Sequence, residues 1–453
     1  MKKGLLQLLS SNILSTFFGV INSFLLPFCL SVDSYASEKE FVFYMSYASI
    51  LAFGYIEGSF IEGGGKSLTE PDGRKIFSSG GAFFVVEIIV SAIMATIGVV
   101  LQSTMIVLFA VGLAAVNIVN YYKNFCVAVG EYAIFSSFIA VEKIILLLLF
   151  LFLLFVVRSD NYIYYCISYI ILYFIGVIYF HTKLKNKYKL RQRKKLDYIY
   201  MYCLMKKGFP FLISNFSVAI FVGLDRWFVN AFMGKTEFAM YSFAASMEQL
   251  INAFVQPVTN ILYNSICRGI KTEKIKKYQT YLLIYGFFLC LSGLFGRILI
   301  ELILPEYVGA SSVIIILFVS QVFSVIVFAV YINYFKAIKE SKRMLEQIFY
   351  MILLGGVLNF VGYCISHSIE IFAYMTLAVK VIWLFLCMSY KREYAMSKKD
   401  LFYTLVLSGA YLYCGIRMDS VIGFICGAFI YVFMTFTIMQ KEVKELIRYF
   451  FKV

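Results

Sequence analysis

Ile134-Phe-Ser-Ser-Phe-Ile-Ala-Val-Glu-Lys-Ile-Ile-Leu-Leu-Leu-Leu-Phe-Leu-Phe-Leu-Leu-Phe-Val-Val157 decides the fold. The only charges in this run are the adjacent Glu142 and Lys143. As a helix it extends about 36 Å at 1.5 Å per residue, enough to cross a hydrocarbon core of about 30 Å. It does not alternate polar and apolar residues as a barrel strand would. Similar runs recur along the chain and give fourteen candidate spans, at about 10–30, 41–62, 77–101, 104–122, 134–157, 162–182, 208–233, 237–267, 278–304, 309–335, 347–366, 371–390, 401–416 and 420–440. Two of the breaks are slight, Gln102-Ser103-Thr104 and Arg417-Met418-Asp419, and fusing across both leaves twelve. The expected fold class is an all-α polytopic membrane protein.

Composition agrees. Of 453 residues, 61% are hydrophobic and 15% charged, against about 45–50% and about 25% in soluble domains. A soluble enzyme, a disordered chain and a secreted disulfide scaffold are excluded. The 35 Tyr and 47 Phe suit lipid-facing surfaces and interfacial belts. Ten scattered Cys with no CxxC pair, and only two His, give neither a disulfide framework nor a metal site, and no cofactor is expected. The opening Met-Lys-Lys before an apolar run resembles a signal peptide. No small-residue cleavage site follows Leu30, so the segment is read as a retained first helix.

A net charge of +15 would suit a nucleic-acid binder, but its distribution points elsewhere. With the N-terminus inside, 33 of the 41 Lys and Arg fall in cytoplasmic segments, four in outside loops (Lys39, Arg158, Lys235, Arg417) and four in spans. That bias places both termini in the cytoplasm and makes the basic balance a topology signal, with no nucleic acid implied. The one sizeable inside loop, 183–207, carries ten of the cations. It reads as a linker, with some affinity for anionic lipid headgroups.

The same loop separates two halves that open alike. Lys2-Lys3-Gly4, Ser11-Asn12 and Phe18-Gly19-Val20-Ile21-Asn22 are echoed by Lys206-Lys207-Gly208, Ser214-Asn215 and Val222-Gly223-Leu224-Asp225-Arg226. An offset of six helices makes the repeat parallel, as in transporters that rock one lobe against the other. The expected organisation is a six-helix lobe at 1–182, the basic linker 183–207, a second six-helix lobe at 208–390, and two additional helices with a tail at 391–453.

Gly208-Phe209-Pro210, Leu224-Asp225-Arg226-Trp227-Phe228-Val229, Gly234, Tyr241-Ser242 and Pro257 resemble the seventh and eighth helices of bacterial polysaccharide flippases. These are Wzx-type members of the multidrug/oligosaccharidyl-lipid/polysaccharide (MOP) transporter superfamily. Leu304-Pro305-Glu306-Tyr307-Val308-Gly309-Ala310 is similar to the family's short loop before its tenth helix, with Pro305 where the family has glycine. Phe53-Gly54-Tyr55-Ile56-Glu57-Gly58 and Gly63-Gly64-Gly65-Lys66 resemble the glycine-rich end of the second helix in some members. The resemblance covers most of residues 1–390. It implies translocation of an undecaprenyl-diphosphate-linked oligosaccharide from the cytoplasmic to the periplasmic leaflet of the inner membrane, for O-antigen, capsule or a related glycan. A polysaccharide polymerase and a chain-length regulator would be partners.

Charges at membrane depth cost about 2.5–3.5 kcal/mol each on insertion scales, so they face a cavity or a partner. Lys143, Arg226, Arg297 and Lys380 are the candidate cations for a diphosphate headgroup. Lys380 has no acid three or four residues away, so it needs water, a ligand or an acid from another helix. Arg297 and Glu301, four apart, can neutralise each other. Lys143 and Glu142, being adjacent, need separate environments, and so do Asp225 and Arg226. Glu57, Glu87, Glu142, Asp225 and Glu248 are candidate cavity or ion-coupling acids, and each has the blander reading of a hydrogen-bonded interior acid. Glu57 and Glu62 flank Gly58 and are expected at the entrance. Pro27 and Pro257 are expected to kink their helices.

Two other functions stay open. A membrane polymerase or ligase would need an acid–base set in its outside loops, which here are short and hold no such cluster. A multidrug cation antiporter of the same superfamily would favour acids over cations in its pocket. Six internal acids keep that reading alive and four internal cations oppose it.

Overall fold

In lipid a backbone must satisfy its own hydrogen bonds, and apolar runs lacking a closed sheet do so as helices. A computed structural model of the chain describes residues 2–188, 196–338 and 340–451, excepting the side chains of 2–13, 253, 256, 257, 260, 261, 264, 341, 446, 447 and 449–451. Among the described residues there is no strand, and ten helices are long and apolar enough to cross a membrane. The chain is a multi-pass membrane protein. It divides into two compact units, Met1–Ala219 and Ile220–Val453.

The first unit holds α1 (Lys2–Cys29), α2 (Val32–Met45), α3 (Tyr55–Gly63), α4 (Pro71–Val100), α5 (Thr104–Ala128), α6 (Tyr132–Leu151), α7 (Tyr162–Tyr188) and the first part of α8 (Tyr198–Phe232). The expected second span is not one helix. It breaks between α2 and α3 at a 3-10 turn, Ala48–Ala52, followed by Phe53 and Gly54 in the left-handed region, φ 50° and 85°. The slight break after α4 is real. Gln102 turns left-handed and Ser103 caps α5 by accepting from the Ile106 amide. α5 packs against α4, α7, α3 and α2. Tyr55, Phe83, Tyr121 and Phe125 form a buried aromatic core, with Tyr55 stacked on Phe83 at 4.1 Å. α4 turns Ile88, Ile89, Ile93, Val99 and Val100 outward, as a lipid-facing helix does.

The segment expected as a basic loop is helical at both ends. α7 runs to Tyr188 and α8 starts at Tyr198, because Met201 and Leu204 on α8 bury themselves in the unit's core. Residues 189–195 of that loop lie outside the described residues. The contact that seats α8 uses glycine. A Cβ on Gly58 would run into the Leu204 carbonyl, and one on Gly208 into the backbone of Gly54 and Gly58. Two stretches that carry the family resemblance therefore meet backbone to backbone. Beside them Glu62 accepts from Lys66 and Lys207, each at 2.7 Å, and Tyr47 donates to the Ala219 carbonyl at 3.2 Å.

The second unit continues α8 and adds α9 (Lys235–Cys267), α10 (Thr272–Ile303), α11 (Ser311–Ile326), α12 (Asn333–Ala337), α13 (Ser341–Ile365), α14 (Ile369–Tyr390), α15 (Lys398–Arg417), α16 (Ser420–Ile438) and α17 (Gln440–Phe451). Every residue of α11 but Ser312 is buried. It packs against α10, α14 and α9. Counting α2 and α3 as one broken span, the fourth helix of the first unit and the fourth of the second are each the enclosed one. Each lies against the second, third and sixth of its own unit, so the internal packing repeats at an offset of six helices. α15 and α16 pack on each other and on α10, and the turn between them at Met418-Asp419 is a true break. Pro27 falls in the last turn of α1 rather than at its middle, and the Pro257 side chain lies outside the described residues.

Candidate functional site

α6 carries Glu142 and Lys143 on different sides, as adjacent helix residues must be. Glu142 is buried and accepts from Lys123 of α5 at 2.9 and 3.1 Å. α5 continues to Ala128, past the expected end of its span at 122, and this extension puts Lys123 within reach. Lys143 is half-buried and lies roughly opposite the lipid-facing residues Val141, Leu148 and Phe155. Among the described residues no carboxylate comes within 4.0 Å of its ammonium, whereas Lys123, Arg297 and Lys380 each have one.

Glu87 projects from the inner side of α4, opposite its lipid-facing isoleucines, and is fully buried. One carboxyl oxygen accepts from Asn117 of α5 at 2.8 Å, while Asn117 also donates to the Ala48 carbonyl at 3.1 Å. Among the described residues the other oxygen of Glu87 and the amide oxygen of Asn117 have no hydrogen-bond partner. Among the described residues no cation pairs with this acid. Glu57 accepts weakly from Asn215, at 3.5 Å.

In the second unit Lys380 of α14 donates to Glu248 of α9 at 2.8 Å and to Ser320 of α11 at 2.9 Å. The acid that Lys380 requires is thus supplied from another helix. Asp225 of α8 is buried and accepts three bonds: the Arg226 amide at 2.8 Å, the Tyr241 hydroxyl at 2.7 Å and the Thr376 hydroxyl at 3.2 Å. Arg226 is half-buried on the next position of α8. Arg297 of α10 pairs with Glu301 at 3.0 Å and donates to the carbonyls of Gly415 and Met418 at 2.6 and 2.8 Å. It therefore caps the C-terminal end of α15, where helix carbonyls lack partners and a cation is favoured.

Of the predicted site residues, the structure joins Lys380 with Glu248, and leaves Glu142 with Lys123 rather than with Lys143. Asn117, Ser320, Thr376 and Lys123 hold the charged groups and were not singled out in the sequence. The first three are small neutral polar residues in apolar runs, and nothing in a single sequence separates them from other such residues. Among the described residues no group of three His, Cys, Asp or Glu is placed to hold a metal ion.

No protein-family model matches the chain, and no curated protein matches it. Solved structures do. A lipid II flippase MurJ in an inward closed conformation aligns over 98% of this chain and 100% of its own, with TM-score 0.73 and 13% identity. An inward-facing multidrug resistance MATE family transporter of the MOP superfamily aligns over 85% and 94%, with TM-score 0.59 and 11% identity. A MATE bound to MaD3S aligns over 86% and 96%, with TM-score 0.54 and 11% identity. At these identities the likeness is one of fold. The chain has the fold of MOP-type transporters and flippases.

Proposed function

We propose that the chain moves undecaprenyl-diphosphate-linked oligosaccharide units from the cytoplasmic to the periplasmic leaflet of a bacterial inner membrane by alternating access, supplying O-antigen or a related surface glycan. The fold likeness to a lipid II flippase over nearly the whole chain supports lipid-linked cargo. The bias of 33 cations against four supports a cytoplasmic location for both termini. The lobes at 1–182 and 208–390 are the rocking bodies in this reading, with a polymerase and a chain-length regulator as partners.

Lys143 carries the choice of an anionic headgroup. It is a membrane-depth cation, turned from lipid, with no acid in ion-pair distance among the described residues. A diphosphate brings the counter-charge that the protein does not supply there. Arg226 is the second candidate contact. Lys380 and Arg297 already hold Glu248 and Glu301, so a headgroup would have to compete for them.

One observation favours the antiporter reading. Glu87 is a fully enclosed acid without a cation among the described residues, an arrangement suited to carrying a proton or a cationic solute. The two readings separate in one experiment. In a deletion strain, Lys143→Ala is expected to lower surface glycan about 10–100-fold, the size of one lost charge-assisted contact of about 1.5–3 kcal/mol. Complete lipid-linked units should accumulate on the inner leaflet, and Lys143→Arg should restore export. Normal glycan in Lys143→Ala, together with altered resistance to cationic drugs, would overturn the flippase reading.

A further inference from the structure

The segment after the last span differs from the rest of the chain. α16 ends at Ile438, Met439 is fully buried, and α17 begins at Gln440. With one residue between them, α17 starts at the membrane surface. Its 12 residues extend about 18 Å, too short to span. At helical spacing the sequence places Val443, Leu446, Ile447 and Phe450 on one stripe, at i, i+3, i+4 and i+7.

The charges of α17 are sorted by sign. Its two acids face the protein. Glu442 accepts from Lys399 at the start of α15, at 2.8 and 2.9 Å. Glu445 pairs with Lys277 of α10 and accepts from the Tyr281 hydroxyl at 2.9 Å. These hydrogen bonds, that of Lys277 first, hold the Glu445 carboxyl below the usual carboxylate range. The cations Lys441, Lys444 and Arg448 lie on the next strip of surface and are exposed. Among the described residues none of them has an ion-pair partner. A helix with an apolar stripe, an adjoining cationic strip and its acids turned to the protein matches a surface of apolar tails and anionic headgroups.

We propose that α17 is an interfacial helix that binds anionic phospholipid headgroups through Lys441, Lys444 and Arg448, held to the second unit by the Glu442–Lys399 and Glu445–Lys277 pairs. This is a second binding surface, separate from the membrane-depth charges.

The test uses the purified full-length protein and two probes, dioleoyl phosphatidylglycerol and dioleoyl phosphatidylcholine, with retained lipid read by native mass spectrometry. The triple variant Lys441→Gln, Lys444→Gln, Arg448→Gln is compared with a control of equal charge loss at exposed cations of the outside loops, Arg158→Gln, Lys235→Gln, Arg417→Gln. Both are required to match the wild-type melting temperature in phosphatidylcholine, so that misfolding is not read as lost binding. The wild type and the control are expected to retain phosphatidylglycerol over phosphatidylcholine, and the α17 variant to bind it on the order of 100-fold less tightly. Unchanged phosphatidylglycerol retention in the α17 variant overturns the proposal. Equal loss in both triple variants also overturns it, because the affinity would then be a general effect of net charge.

Discussion

Lys380 shows what a single residue tells and withholds. Its sequence neighbourhood says only that a lone cation at mid-span needs a partner. The partner, Glu248, is 132 positions away on α9, and Ser320 comes from α11. A separation of that kind leaves no local pattern to read. The i,i+4 pair Arg297–Glu301 was legible because both partners share a helix face, but its attachment to the Gly415 and Met418 carbonyls was not. Removing one member of a buried pair strands the other charge, which costs about 3–5 kcal/mol, while removing both is often close to neutral. Lys380→Met and Glu248→Gln are therefore each expected to lower the melting temperature in detergent, and the double variant to recover most of the loss. If the two single losses simply add, the pair is not a coupled unit and Lys380 is held by something else.

At the scale of elements, the apolar runs made the helices legible. What the runs concealed was where a helix breaks or continues under tertiary packing. The stretch 41–62 reads as one span by hydropathy, yet it turns at Ala48–Ala52 and reaches φ 85° at Gly54. The stretch 198–207 reads as loop by charge, yet it is helix because Met201 and Leu204 have a core to enter. Both surprises adjoin one contact, where Gly54 and Gly58 meet Gly208 with no room for a Cβ. The neighbours there are backbone atoms, which cannot swing aside as a side-chain tip can. Gly208→Ala and Gly58→Ala are each expected to cost about 1–3 kcal/mol by overpacking, seen as a lower melting temperature. Equal losses at Gly19 or Gly356, where a Cβ would meet nothing within 4 Å, would show instead that glycine is needed for some reason other than space.

At the scale of the molecule, the all-helical plan was legible because long apolar runs mark helices without needing their contacts. The parallel repeat seen in short matched stretches has a structural counterpart in α5 and α11, each enclosed by the same three members of its own unit. The position of the dividing line was not legible. The sequence suggested 183–207, whereas the compact units part at Ala219 and Ile220, inside the unbroken helix α8. The first part of α8 is thus anchored to the first unit by the glycine contact and by Lys207–Glu62, while its second part carries Asp225 within the second unit. The rocking cycle proposed above would have to resolve this double attachment in one of two ways. Either the first part of α8 leaves α3, or α8 bends between Ala219 and Asp225 while the α3 contact stays closed. Glu62→Cys with Lys207→Cys, bridged by a short bis-thiosulfonate reagent that dithiothreitol removes, tests which occurs. If α8 leaves α3, bridging is expected to abolish export of lipid-linked glycan in vesicles, and reduction to restore it, with either single cysteine unaffected. Full export in the bridged protein would place the hinge inside α8 and make the α3 contact a permanent part of the first unit.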